Sequence, residues 1–259
     1  MTWTTRPRSD FGKLRCVEAG QGPLVLFLHG VGLRAEAWAA QLDHFARSYR
    51  AIAPDMPGHG ESAPLGTAPI LQDYTDLVAA SLNEPAVVIG HSMGAMIAVD
   101  LAARFPQKVA GVVALNAIFH RSEAARTAVQ ARVDSLDGAR IADPEPTLKR
   151  WFEKLKSPAA VACREWLTAV DPAGYKAAYT VFAAEDGPDE LALSGLEMPA
   201  LFMTGELEPN STPAMSEAMA KIAPKGRAVI LPDAAHMMPM THPASVNAEL
   251  AKVLAECGL

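Results

Sequence analysis

Ala86-Val87-Val88-Ile89-Gly90-His91-Ser92-Met93-Gly94-Ala95 is the stretch that decides the fold. Four apolar residues without interruption signal a strand covered on both faces, as in a parallel sheet, and from Met93 to Phe105 the spacing turns helical. Between strand and helix stands Gly-His-Ser-Met-Gly, a G-x-S-x-G string in the context that such a turn requires. A serine on so tight a bend is held in a strained backbone conformation, and only glycines on either side leave room for neighbouring chain. Its hydroxyl is then presented above the sheet edge at a helix N-terminus, where amide dipoles favour developing negative charge. The plain alternative is a helix-capping serine in an ordinary turn; the flanking strand and helix favour Ser92 as a nucleophile.

Outward from this stretch the same alternation repeats. Upstream, Lys13 to Glu18 reads as a short edge strand, Leu24 to Leu28 as a buried strand, Trp38 to Arg47 as a helix, Ala51 to Ala53 as a strand and Ile70 to Leu82 as a helix. Downstream, Val109 to Leu115 reads as a strand, and after a gap Ala200 to Met203 and Ala228 to Leu231 are strands alternating with helices over Thr212 to Ala223 and Pro243 to Glu256. This is α/β order. The gap is different in kind: beyond Asn116, helical stretches are broken by Pro144, Pro146, Pro158 and Pro172 and carry most of the aromatic residues. The expected organisation is an α/β core over 1–118 and 190–259 with a helical cap over 119–189, all one compact unit, its mostly parallel sheet flanked by helices.

Composition narrows the classes. A chain of 259 residues, half of them hydrophobic and 20% charged, is long enough for one sizeable core and is not disordered. A formal net charge of −6 argues against nucleic acid or acidic lipid as partner. Cys16, Cys163 and Cys257 show no C-x-x-C spacing, so neither a disulfide framework nor a thiolate metal site is indicated. Met1 to Asp10 has no apolar run behind Arg6 and Arg8, and no stretch is long enough to span a bilayer; a cytoplasmic protein is the expectation.

A nucleophilic serine needs a base that takes its proton and returns it, a role suited to histidine. His236 follows the last apolar strand, within Pro232-Asp233-Ala234-Ala235-His236, and comes after the serine and the acid in chain order. His242, beside Pro243 at the start of the final helix, reads better as a surface cap. His29-Gly30 closes the strand Leu24 to Leu28; His29 is taken as a structural hydrogen-bonder, and the glycine lets the backbone approach a bound carbonyl. The N–H groups of Val31 and Met93 are the expected oxyanion donors. The acid should follow the strand Ala200 to Met203, where Glu206 and Glu208 compete.

Taken together, His29-Gly30, Asp55-Met56-Pro57-Gly58-His59-Gly60-Glu61-Ser62, the Ser92 turn, the loop after Met203 and His236 make the chain resemble the α/β-hydrolase superfamily over nearly its whole length. In that family the acid loop usually reads G-x-x-D-x-x-x-P; Gly205, Glu208 and Thr212-Pro213 fit it with small departures, which puts Glu208 in the acid position with glutamate for aspartate. Asn116, at the end of the middle strand, is a lesser candidate. The segment Asp55 to Ser62 is expected to brace the site. Arg164-Glu165-Trp166-Leu167, Asp171-Pro172, Gly174-Tyr175 and Met56-Pro57-Gly58 look like 3-oxoadipate enol-lactonases and related small ester or lactone hydrolases.

The resemblance implies a serine hydrolase acting on a small-molecule ester or lactone, without metal or organic cofactor; no HExxH and no GxGxxG after a strand occurs. The oligomeric state is left open. Substrate contacts are expected from Trp151, Phe152, Trp166, Tyr179, Met237 and Met238, with core packing as the plain alternative for each. Arg121, Arg126, Arg150 and Arg164 could meet a substrate carboxylate or be solvated helix faces. Serine at the turn argues against haloalkane dehalogenases and epoxide hydrolases. Carbon–carbon bond hydrolases, cofactor-free perhydrolases and a non-catalytic ligand receptor on the same scaffold stay open.

Overall fold

A hairpin begins the ordered chain: β1 (Ser9–Phe11) and β2 (Leu14–Ala19) pair antiparallel around Gly12, whose φ of +60° suits glycine. The computed structural model describes residues 3–66 and 68–258; Met1, Thr2, Thr67 and Leu259 of the expected core lie outside the described residues. The solid apolar run is β3 (Leu24–Leu28), followed by a 3₁₀ turn at Ala35–Trp38, α1 (Ala39–Phe45) and β4 (Arg50–Pro54). Then come α2 (Leu71–Ser81), β5 (Ala86–His91), α3 (Met93–Arg104) and β6 (Val109–Leu115). The proline-broken stretch forms α4 (Glu123–Asp134), α5 (Glu145–Trp151), α6 (Pro158–Ala169), α7 (Pro172–Ala184) and α8 (Glu190–Ser194). Proline falls in the first turn of α5, α6 and α7, where its missing N–H has no partner to lose, and Ser157 and Asp171 cap α6 and α7. The chain closes with β7 (Ala200–Gly205), α9 (Pro213–Ile222), β8 (Gly226–Leu231), the short α10 (Met238–Thr241) and α11 (Pro243–Glu256).

The sheet runs β1-β2-β4-β3-β5-β6-β7-β8 and is parallel from β4 to β8. The strand expected at the edge, β2, lies one place in, because the three-residue β1 pairs outside it. The β3 run is apolar throughout because it is buried on both sides. Leu24, Leu26 and Leu28 belong to the apolar cluster on the face covered by α2, α3 and α9, whereas Val25 and Phe27 belong to the one on the other face with Trp38, Leu42 and α11. A third apolar cluster joins α5, α6 and α7 to Leu33, after β3, and to Met237 and Met240, after β8. These helices therefore sit over loops that leave the carboxyl ends of the parallel strands, where ligands bind in open α/β sheets. Among the described residues no helix is long and apolar enough to cross a membrane.

Candidate active site

The turn between β5 and α3 holds Ser92 at φ 57° and ψ −120°. A non-glycine residue there costs on the order of 1–3 kcal/mol, so the surroundings must impose it. Ser92 N–H donates to Leu115 O at 2.9 Å, and Ser92 O accepts the first α3 bonds from Ala95 and Met96 at 2.9 and 3.3 Å. The glycines are steric necessities. A Cβ on Gly90 would lie 2.0 Å from Gly94 O, and one on Gly94 would lie 2.1 Å from Leu28 O. Gly30, expected to admit a substrate carbonyl, makes room for the serine itself: its Cβ would stand 2.9 Å from Ser92 Cβ.

Behind the serine stands a carboxylate–imidazole pair. His236 Nδ1 lies 2.7 Å from Glu208 Oε2, and the glutamate side chain is fully buried. Burial alone would raise the Glu208 pKa. The His236 charge and hydrogen bond, with Asn210 and Ser211 N–H groups donating to Oε1, overcome this and hold it at about 2. Asn116, offered as a lesser acid candidate, plays another part. Its Nδ2 donates to Glu208 Oε2 at 3.3 Å and to Thr204 Oγ1 at 3.1 Å. Glu206 is exposed and among the described residues accepts from Asp233 N–H, whereas Glu208 lies against His236. His242 makes its bond to Thr241 Oγ1 at the start of α11.

Three buried histidines fix the frame. His91, inside the turn, has its pKa lowered to about 3 by burial and then by the nearby His236; neutral, its Nε2–H donates to His236 O at 2.7 Å. His29 bridges two loops, with Nδ1 facing Gly30 O at 2.8 Å and Nε2 accepting from Met56 N–H at 2.9 Å. His59, in the segment expected to brace the site, is held near 3 by burial and by His29, and its Nε2 accepts from Gly32 N–H at 2.9 Å. The loop carrying Val31 is thereby fixed next to the serine turn. Among the described residues no hydrogen bond takes the Val31 N–H, and Met93 N–H, first in α3, has no intrahelical acceptor. Both are available to an oxyanion.

Ser92 and His236 line one cleft together with Val31, Trp151 and Tyr179. Among the described residues no hydrogen bond joins the two side chains; such bonds often tighten only when substrate binds. Trp151 stacks on the His236 ring, centroids 5.7 Å apart at 19°. The other four residues expected to contact substrate lie elsewhere. Phe152, Trp166 and Met237 are buried in the α5–α7 cluster, and Met238 packs beneath the sheet with Val246 and Leu250. Their apolar surface is buried there. Arg121 and Arg150 line the cleft, while Arg126 and Arg164 do not. Thr147, Tyr175, Phe182 and Asn210 also line it and were not singled out as substrate contacts from sequence. The aromatic richness between β6 and β7 hinted at Tyr175 and Phe182; no signal pointed to Thr147 or Asn210.

A family model for the alpha/beta hydrolase family matches residues 25–249. The (E)-2-((N-methylformamido)methylene)succinate hydrolase of Acinetobacter baylyi is 36% identical over 236 residues, 89% of each chain. A thermophilic esterase from Thermogutta terrifontis, solved with malate bound, superposes with a TM-score of 0.84 at 25% identity, covering 97% of this chain and 99% of that one. The enol-lactonase from Burkholderia xenovorans superposes with a TM-score of 0.83 at 22% identity, over 96% of this chain and 100% of that one, a likeness of fold.

Proposed function

The chain belongs to the alpha/beta hydrolase family, and from that premise we propose that it is a serine hydrolase cleaving a small carboxylic ester or lactone through an acyl-enzyme on Ser92. The observation that carries this reading is the meeting of three features. They are a strained serine at a strand–helix turn, an imidazole in the same cleft, and a buried carboxylate 2.7 Å behind that imidazole. In the reaction, His236 Nε2 takes the Ser92 proton as Oγ attacks the carbonyl carbon. The carbonyl electron pair moves to oxygen and is held by the Val31 and Met93 N–H groups. Collapse of that intermediate expels the alkoxide, which leaves with the proton from His236. Water, losing a proton to His236, then attacks the acyl-enzyme, and Ser92 recovers its proton as the acid departs. Glu208 orients the imidazole and stabilises its charged form. The helices of 119–189 act as a cap that closes the cleft and selects the substrate.

A second reading has one observation in its favour. The Acinetobacter relative, similar over 89% of both chains, has a name that puts an N-methylformamido group beside a succinate. Scission of an acyl group from nitrogen would use the same steps with an amine as leaving group. Comparing turnover of matched esters and enamides separates the two.

Ser92→Ala tests the common core. Hydrolysis of 4-nitrophenyl butyrate should fall by about 10³-fold or more, and the fluorophosphonate adduct expected on the native protein should be absent. A variant that still turns over the ester at the native rate would overturn the assignment.

A further inference from the structure

The cleft around Ser92 carries positive charge that no side chain on its walls neutralises. Arg121 and Arg150 line it, and no aspartate or glutamate does, in a chain whose formal net charge is −6. Arg126 and Arg164, on the same group of helices, are paired with Asp186 and Glu145. Among the described residues the Arg121 and Arg150 guanidinium groups form no ion pair; the Arg121 main-chain N–H donates to Asp186.

The two cations are held differently. Arg121 is 5% exposed, and its guanidinium lies 4.4 Å over the Phe182 ring. Its terminal nitrogens donate to Glu185 O and, at 3.0 Å, to Phe182 O, at the carboxyl end of α7. Burial pulls its pKa down to about 10, so it remains charged at neutral pH. Carbonyls at a helix end carry only about half an elementary charge between them, and Asp186, the nearest carboxylate in effect, is itself paired with Arg126 and lies outside the cleft wall. Arg150, in the last turn of α5, is exposed; it makes a long hydrogen bond, 3.4 Å, to Thr147 Oγ1 and a further one to the Tyr179 hydroxyl. Both partners are neutral, so its planar fork suits two-point contact with a carboxylate.

We infer that the substrate carries a carboxylate, which Arg150 receives in its fork while Arg121, immobile in the wall, adds its field. The scissile carbonyl is thereby presented to Ser92. The inference rests on the hydrolase reading above and narrows it to anionic esters, lactones or amides. It also assigns the leucine-poor, arginine-bearing wall of the cleft a role in choosing substrate that the apolar residues of α5 and α7 cannot perform, because an apolar wall rejects charge.

Two measurements on the full chain test it. Native protein should hydrolyse monomethyl succinate with a kcat/KM at least about tenfold above that for dimethyl succinate, and Arg150→Gln should shrink that ratio by about tenfold or more. Arg150→Lys, which keeps the charge and loses the fork, should fall between the two. Succinate titrated calorimetrically into the Ser92→Ala protein should bind, and should bind about tenfold or more weakly when Arg150→Gln is added. Hydrolysis of both esters at equal kcat/KM, with no heat of succinate binding, overturns the inference and leaves the hydrolase reading intact. Succinate binding that depends on Arg150, in a protein that hydrolyses neither ester and forms no Ser92 adduct, supports the carboxylate site and removes the hydrolase reading.

Discussion

Glu208 is the residue whose surroundings are tuned most closely. Three donors besides His236 aim at its two oxygens, from Asn116, Asn210 and Ser211, and they hold it ionised down to about pH 2 against the effect of burial. Glu208→Gln keeps the shape and gives His236 Nδ1 a neutral partner. The wrong imidazole tautomer then becomes accessible and the imidazolium loses its counter-charge, which in a related constellation costs about 10⁴-fold in kcat. A loss of that order is expected here. The native carboxylate stays charged from about pH 5 upward, so the deficit should be present in full at about pH 8. The measurement is kcat/KM of both proteins at that pH, and a loss below about tenfold would mean that the carboxylate does not orient the imidazole. The longer glutamate in place of the usual aspartate is accommodated by this ring of donors, which the linear sequence does not display. Asn116 is 92 positions away.

At the scale of elements, the β5–α3 turn depends on α3 lying against β3 with no side chain between. Gly94→Ala would set a methyl group 2.1 Å from Leu28 O and 2.8 Å from His29 O, both main-chain atoms that cannot swing aside. The helix must shift, at a cost of about 3 kcal/mol or more, and Ser92 shifts with it. Gly66→Ala meets nothing within 4 Å and serves as the control. Urea unfolding should show a large loss for the first and none beyond about 0.5 kcal/mol for the second; equal midpoints would show that α3 does not rely on that contact. The elements legible in sequence are those whose signal is local. β6 and α11 begin and end at the residues the pattern indicates, since apolar run and helical period stop where the elements stop. β1 was missed because three residues have no period, and α10 because its Met-Pro-Met core resembles a loop. Ser92, His236 and Glu208 each follow a strand in a recognisable string, so their meeting could be anticipated. The cleft wall could not: Trp151 and Phe152 are adjacent, yet one stacks on His236 and the other is buried in the helical cluster. That choice is made by how α5 docks, a tertiary fact.

Across the whole molecule, the segment before β1 is tied to the site through a buried ion cluster. The Arg8 guanidinium is 1% exposed and lies 2.7 Å from both Glu36 Oε1 and Asp55 Oδ2, whose side chains are 1% and 0% exposed. Asp55 in turn accepts from Ala35 N–H at 2.8 Å and Glu61 N–H at 2.9 Å, fixing the loop in which His59 reaches Gly32. Burial would raise the Glu36 pKa, but Arg8, the Arg6 N–H and Arg34 bring it down to about 2. Arg8→Met fills the same space without charge and leaves two carboxylates buried with their main counter-ion gone. Breaking a buried pair in this way costs about 3–5 kcal/mol. The sign of the pH dependence follows from the depressed pKa. In the native protein Glu36 contributes stability above its unfolded pKa, near 4.5, and that contribution is lost as pH falls toward about 2. In the variant the two buried carboxylates, with Arg34 left on Glu36, are a liability that protonation relieves. The stability gap between the two proteins should therefore be widest at neutral pH and should narrow as pH falls from about 5 to about 3. Urea unfolding of both proteins across that range is the check. A gap that stays constant or widens on acidification would mean that packing of the Arg8 stem, and not its charge, holds the segment to the site.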